Sequence, residues 1–374
     1  MKKWIAMTLL LALLLTGCGR GSGAAEETVR LPEVLPETAA EETAGTTEAT
    51  VPPTTEPAPQ FRNPLNGQLL DAPWDGRIFG FTIGNTKEAL PHYGLSKCDV
   101  LFETFVNGLT TRRFAMFTNV QDVESIGGSR SMRVQFTDLS QGYDAIAVHA
   151  AGSSYVMADM RASGIDNIHS EQWDADFHYR DKDRMNAGYS MEHCLYVKGP
   201  DIWQFAEDQG IRLTRNPDKD YGMQFTEDPI LPEGEEAQVV NITFHLANRE
   251  KPTMMTYQPE KKAYTMEQYG VQMVDGYYED APELYKNVFA LYFPYHYESN
   301  IYHVPDTVGE GTGYFACEGK LIPIRWYRAD NESAFTFTKE DGSPLLQGVG
   351  TSYIAMLPEE SDVSWGAAET AEAE

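Results

Sequence analysis

The sequence predicts an α+β fold, with an N-terminal α/β layered domain on a mixed sheet followed by a mainly β C-terminal domain. Three observations carry this. Between residue 61 and about 212, short apolar runs alternate with helical stretches. From about 235 to 358, β-branched and aromatic runs follow one another between turn signals. Hydrophobic residues at 42% and aromatics at 11% are enough for a packed core.

In the first half, Ile78 to Ile83 and Val100 to Val106 read as strands. Arg113 to Thr118 is a third, and Ala145 to His149 a fourth, apolar enough to be central. Helices are expected over Ser131 to Gln141, Ser154 to Ser163 and Asp201 to Gln209. Gly164 and Gly210 are stops, and Asp201, after Pro200, is an N-cap candidate. The segment 213–236, rich in Pro, Asp, Glu and Gly, marks a boundary between domains at 61–220 and 235–358. In the second half, strands are expected at Val239 to Phe244, Thr253 to Tyr257, Ala263 to Gln268, Val288 to Phe293, Gly313 to Cys317, Ile322 to Tyr327 and Ser352 to Leu357. No amphipathic helix pattern interrupts them. The tyrosines there (Tyr277, Tyr278, Tyr292, Tyr295, Tyr297) divide between core and a stacking surface that periodicity does not resolve.

The ends have a different texture. Lys2 and Lys3 precede an apolar run from Trp4 to Leu15. That run is shorter than the roughly 20 residues of a membrane-spanning helix and fits a secretory signal. Leu15-Thr16-Gly17-Cys18 resembles a bacterial lipobox. The resemblance implies a signal peptide over 1–17 and an acylated, palmitate-bearing Cys18 that anchors the protein in a lipid bilayer, on the outer face of the bacterial cytoplasmic membrane. Residues 18–60 hold eight Glu, two Arg and few large apolar side chains, the composition of a disordered tether. Residues 359–374 hold six acids and no base and are expected to be a second disordered tail.

Charge narrows the function. The chain carries 29 basic against 56 acidic residues, a formal charge of −27. No basic footprint for nucleic acid is present. Apart from Cys18 there are three cysteines, Cys98, Cys194 and Cys317, with no CxxC pair. This argues against a zinc site and against a disulfide framework. Neither HExxH nor the EF-hand pattern occurs. His169-x-Glu171, the His296 to His303 segment and the acids Asp174, Asp176, Asp181 and Asp183 form no complete ligand set. The sequence calls for no metal and no cofactor.

The body also carries a series of short motifs in order. They begin with Asn63-Pro-Leu-Asn-Gly67, Gly94-Leu-Ser96, Asp99, Glu103, Gly108 and Thr111-Arg112. Gly127-Gly-Ser-Arg130-Ser131-Met-Arg133, Gly142-Tyr-Asp144, His149-Ala-Ala-Gly-Ser153, Arg180-Asp181, Arg184 and His193-Cys-Leu-Tyr196 follow. The second half adds Gly311-Thr-Gly313, Gly319-Lys320, Ile324-Arg-Trp326, Phe335, Gly342 and Gly350-Thr351. Together they resemble the YerB-like lipoproteins of Gram-positive bacteria, a family of unknown function with conserved N- and C-terminal regions. The resemblance spans nearly all of 61–358. Gly128-Ser129 stands where the family has Pro-Val, and Cys194 stands where it has Asn.

The richest chemistry lies in the arginine loop, 127–133. A helix starting near Ser131 or Met132 would present backbone N–H groups, and Arg130 and Arg133 would add charge, as an anion or carboxylate site requires. Pairing of those arginines with the body's own acids is the alternative. His149 ends an apolar strand, where crevices form in open α/β sheets. The expected ligand-binding set is Arg112, Arg130, Ser131, Arg133, His149, Arg180, Arg184 and His193. Catalytic candidates, should the protein be an envelope hydrolase, are His149, His193, Glu103 and Asp181. Cys194 is no partner for His193 if both lie in one strand, because neighbours there face opposite ways. The favoured ligand is an anionic or carboxylate-bearing envelope peptide, glycan or protein.

Overall fold

Strand alternation sorts the core into two layers. Along Val100–Asn107, Val100, Phe102 and Val106 join one apolar cluster, whereas Leu101 and Phe105 join another. Along Thr110–Phe117, Phe114 and Met116 join the first cluster, and Ala115 and Phe117 the second. These strands pair antiparallel, so one sheet separates two cores. The computed structural model describes residues 60–367, apart from 109, 171–174, 230, 232, 247–248 and 299–301. The expected signal peptide (1–17) and all but the last residue of the tether (18–60), with Cys18, lie outside the described residues.

The fold is α+β. Among the described residues, thirteen strands join in the large sheet. Its main path runs through 235–236, Lys320–Arg328, Gly309–Cys317, Asn287–Phe293, Ser352–Pro358, Val100–Asn107, Thr110–Phe117, Phe79–Asn85, Ile146–His149 and Asn167–His169. Ser352–Pro358 lies parallel to both Asn287–Phe293 and Val100–Asn107, so the two sequence halves share one sheet. On one face, the helices Val134–Gly142 and Ser154–Ser163 bury Phe136, Leu139, Val156 and Met160. On the other, a six-stranded sheet built on Val239–Leu246, Arg249–Gln258 and Ala263–Gln268 packs Ile242, Phe244, Met255 and Met266 into the second core. The helix Gly199–Asp208 contributes Ile202 and Ala206 to that same core.

Several expectations shift. The helix after the arginine loop begins at Val134 and not at 131, with Arg133 as its N-cap. The third expected helix begins at Gly199, because Pro200 fits the first turn, and Lys198 rather than Asp201 is its N-cap. Gly210 follows at φ 71°, as a stop requires. The expected disordered tail contains a strand, Asp362–Gly366, paired with 239–243. Its Val363 and Trp365 pack against the core, an apolar period-two signal hidden among acids. Tyr292 and Tyr295 also pack on the core, while Tyr277 and Tyr297 are exposed.

Between the two sheets lies a charged network. Glu103 faces Arg113 across the ladder. Its carboxylate pairs with Arg113 Nε at 3.3 Å and Lys251 Nζ at 2.5 Å. It also accepts from Gln268 at 3.0 Å, Thr111 at 2.8 Å and Tyr353 at 3.2 Å. Arg113 reaches Glu283 at 3.2 Å, and Tyr285 donates to the same carboxylate at 2.7 Å. Burial would push the Glu103 carboxyl up, but Lys251 and Arg113 outweigh it and hold it down to about 2. Burial brings Lys251 down to about 8, so both partners are charged at neutral pH. Removing one member of such a network leaves buried charge uncompensated. Glu103→Ala should therefore destabilise the protein by about 3–5 kcal/mol, read as a lower urea midpoint at pH 7.

Candidate functional site

Adjacent residues of one strand part company here. Arg113 enters the network between the sheets. Arg112, its neighbour, takes the helical side, opposite Gly84 in the ladder. A Cβ on Gly84 would meet Arg130 Cγ at 2.7 Å, so this glycine lets the Arg130 stem lie across the strand. Arg133 sits at the start of the adjoining helix, its guanidinium 4.9 Å from the centre of the Tyr302 ring. Arg112, Arg130 and Arg133 thus form one cationic cluster.

The cluster is under-neutralised. Arg130 pairs with Glu192 at 2.9 Å. Among the described residues, no carboxylate pairs with Arg112 or Arg133: Arg112 donates to the Ser131 carbonyl, and Arg133 to the Met132 carbonyl and, at 3.4 Å, the Asn107 amide oxygen. The Nε–H groups of both are buried without a partner. Burial, together with repulsion from Arg133 and Arg130, pulls the Arg112 pKa well below its usual range. Burial lowers Arg133 too. An unsatisfied buried donor costs roughly 1–3 kcal/mol, so the arrangement favours an incoming acceptor.

Part of the loop backbone is already committed to other partners. Ser129 N–H donates to the Leu195 carbonyl, Arg130 N–H to Thr82 and Met132 N–H to Ala151. These three donors hold the loop against its neighbours, so they are not available to an anion. Gly127, at φ 154°, and Gly128 allow the close approach: Cβ atoms there would meet the Leu195 and His193 carbonyls at 2.6 and 3.0 Å.

Arg130 and His193 line a cleft of about 630 Å³ together with Thr86, Glu88, residues 187–190 and Glu192. His193 ends a 3₁₀ turn, and the strand begins only at Leu195, so strand alternation does not govern the pair with Cys194. Its Nε2 is 3.7 Å from Glu192, and its Nδ1 is buried without a partner. Burial, then the Arg130 charge, lowers its pKa. Glu88, Tyr189 and Glu192 were missed from sequence because this segment has no periodicity to mark which side chains turn inward.

The remaining candidates lie elsewhere. His149 does not line the cleft: its Nδ1 donates to the Ala151 carbonyl at 3.0 Å, and its Nε2 is 3.2 Å from the Asn167 amide oxygen. Glu103 is on the far face of the sheet, in the charged network. Asp181 caps the helix Lys182–Asn186, accepting from the N–H groups of Asp183 and Arg184. Arg184 donates to the carbonyls of Ala89, Leu90 and Pro91 and stacks on Tyr189 at 4.2 Å, so it braces a cleft wall. Arg180 donates to the Met191 carbonyl on the same segment. Ser131 enters the cluster through its carbonyl. Cys98, Cys194 and Cys317 are free and buried. Of the metal candidates, Glu171 and Asp174 lie outside the described residues, and His296 pairs with Asp306 at 2.7 Å.

With this geometry in place, known proteins give a consistent match. Family models described as "Protein of unknown function (DUF3048)" match the chain in two parts, the N-terminal domain over residues 68–212 and the C-terminal domain over 240–354. The chain belongs to this family. Its sequence is 24% identical over 311 residues to YerB of Bacillus subtilis (strain 168), which is named as a candidate lipoprotein; the match covers 81% of this chain and 88% of YerB. A crystal structure of YerB from Bacillus subtilis superposes with a TM-score of 0.70 at 23% identity, over 81% of this chain and 99% of that one, a likeness of fold. The YerB-like resemblance read from the motifs therefore holds.

His149, away from the cleft, gives the fold a pH signature. Burial brings its pKa down to about 4 from 6.5. The unfolded chain binds the proton more readily, so this contribution is complete above pH 6.5 and is lost as pH falls towards 4. That is worth up to roughly 3 kcal/mol. Urea unfolding at pH 7 and pH 4 checks it: His149→Gln should lose less stability across the interval than the parent.

Proposed function

We propose that the protein is a membrane-anchored, extracytoplasmic binding module for a carboxylate-bearing or otherwise anionic ligand, seated where Arg130 meets the cleft. The carrying observation is the cluster of Arg112, Arg130 and Arg133 served by a single carboxylate, Glu192, in a chain of net charge −27. Guanidinium groups bind carboxylates through paired, charge-assisted hydrogen bonds. A ligand carboxylate can exchange with Glu192, whose side chain is 62% exposed and gives up little on release. The envelope peptide, glycan or protein ligand expected from sequence fits this chemistry. Anchoring through acylated Cys18 is supported by the Leu15-Thr16-Gly17-Cys18 motif and by the name that YerB carries.

A hydrolytic function has less support. Among the described residues, His149 has no carboxylate among its hydrogen-bond partners, and Cys194 points its thiol at the Ser190 carbonyl, 3.4 Å away. Burial raises that thiol's pKa, which suppresses the reactive thiolate.

Titration calorimetry with an N-acetylated tripeptide, as the free acid and as its C-terminal amide, tests the binding function. The acid should bind and the amide should not. Arg130→Ala should weaken the acid by about 1.5–3 kcal/mol, tenfold or more. Equal binding of acid and amide, or unchanged affinity in both Arg130→Ala and Arg133→Ala, would refute it. For the anchor, Cys18→Ser should move the protein from the membrane to the soluble fraction and abolish incorporation of labelled palmitate.

A further inference from the structure

A second cleft, of about 620 Å³, opens beside the Asn63-Pro-Leu-Asn-Gly67 turn and shares no lining residue with the first. Nothing in the arginine site explains it. Its size falls in the ~300–1,000 Å³ range of small-ligand sites.

The floor is built from a carboxylate that is locked rather than free. Asp99 is 7% exposed and has no salt bridge among the described residues. It accepts from Thr118 N–H at 2.6 Å, Thr118 Oγ1 at 2.8 Å, Asn63 at 3.3 Å and the Asn66 amide. These bonds use the carboxylate's acceptor capacity. The Asn63 amide oxygen in turn accepts from Leu65 and Asn66 N–H, which fixes the turn. The floor is therefore polar, rigid and closed to a metal ion.

The walls differ from the floor. Trp74 lines the cleft half-buried, its orientation fixed by an Nε1 bond to the Thr118 carbonyl at 3.3 Å and an edge contact with Tyr221 at 5.8 Å. Gln68 and Gln121 also line the cleft and are exposed, and among the described residues no hydrogen bond occupies either side-chain amide. Beside them Asn119 donates to Asp122 at 2.6 Å, which orients the Asp122 carboxylate.

Ligand classes can be compared against this lining. An anion would face the carboxylates of Asp99 and Asp122 with only Lys97 in opposition. An apolar ligand would strip water from the two free amides without replacing its hydrogen bonds. A neutral polyol satisfies both demands. Its C–H face packs on an indole plate, and its hydroxyls donate and accept, as does each amide. We propose that this cleft binds an uncharged oligosaccharide segment, with Trp74 as the stacking platform and Gln68, Gln121 and Asp122 as its hydrogen-bonding rim.

The test is titration calorimetry of the full chain with three neutral probes, tetra-N-acetylchitotetraose, cellotetraose and maltotetraose, and one acidic probe, a tetramer of galacturonic acid. At least one neutral probe should bind, and the acidic one should not. Trp74→Ala and Gln121→Ala should each weaken that binding at least tenfold, while Arg130→Ala leaves it unchanged. Gln121 is exposed and unbonded, so its variant tests the site without disturbing the fold. Failure of all three neutral probes at millimolar concentration overturns the proposal. So does unchanged affinity in Gln121→Ala, loss of affinity in Arg130→Ala, or preferential binding of the acidic tetramer.

Discussion

The pairing of Glu103 with Arg113, extended to Lys251 and Glu283, is the interaction on which the rest of the structure depends. It joins three segments far apart in sequence: adjacent strands of the first half, a strand of the smaller sheet and the loop before Tyr285. Such a network adds little net stability over apolar packing, because desolvating the charges offsets their attraction. Its effect is selective. If the small sheet shifted by one residue, Lys251 would turn to the other face, and Glu103 would keep a buried negative charge with less to neutralise it. The network therefore opposes misregistered packing of the two sheets more strongly than it favours the native one.

The same strand explains why an arginine cluster can exist on the opposite face. Glu103 and Arg113 occupy one side of the sheet, so Thr104 and Arg112 must occupy the other. Arg112 thereby loses access to the buried acids. The arginine loop lies against this face, held by the N–H groups of Ser129, Arg130 and Met132 on the carbonyls of Leu195, Thr82 and Ala151. Loop and strand together hold three guanidinium groups near one another while their natural counterions are kept across the sheet. The glycines at 84, 127 and 128 are the steric condition for that approach.

Much of the fold was legible in the sequence, and the reasons can be given residue by residue. Ala263–Gln268 and Ser154–Ser163 have the bounds expected from pattern alone, because period-two alternation and a terminal glycine each mark a physical boundary. The Pro200 helix start and the strand at Asp362–Gly366 were misjudged, since local composition outweighed a weak positional signal. The insertion of Ser352–Pro358 between strands of both halves has no local signature; it is a matter of which apolar strands meet. For the site, Arg112, Arg130, Arg133 and His193 were identifiable as unusual residue types in an acidic chain. Their separation from Glu103 and His149 was not, because it depends on which face of a strand each side chain takes and on loop paths of more than ten residues.

The acidity of the chain has to be reconciled with the proposed anion-binding site. At physiological salt the screening length is about 8 Å, so charges on distant surfaces contribute little within the cleft. What an anion meets there is Arg130, backed by Arg112 and Arg133 and opposed by Glu88 and Glu192. Long-range repulsion from the acidic surface slows the approach of anions in general, whereas short-range guanidinium contacts set the affinity of those that fit. An acidic body with a small cationic cluster would, on this proposal, disfavour polyanions, which need many phosphate contacts at once. The proposed function therefore concerns small ligands that present one carboxylate. Under that proposal the net charge would act as a filter on ligand size and valence, and the cluster would supply the affinity that passes through it.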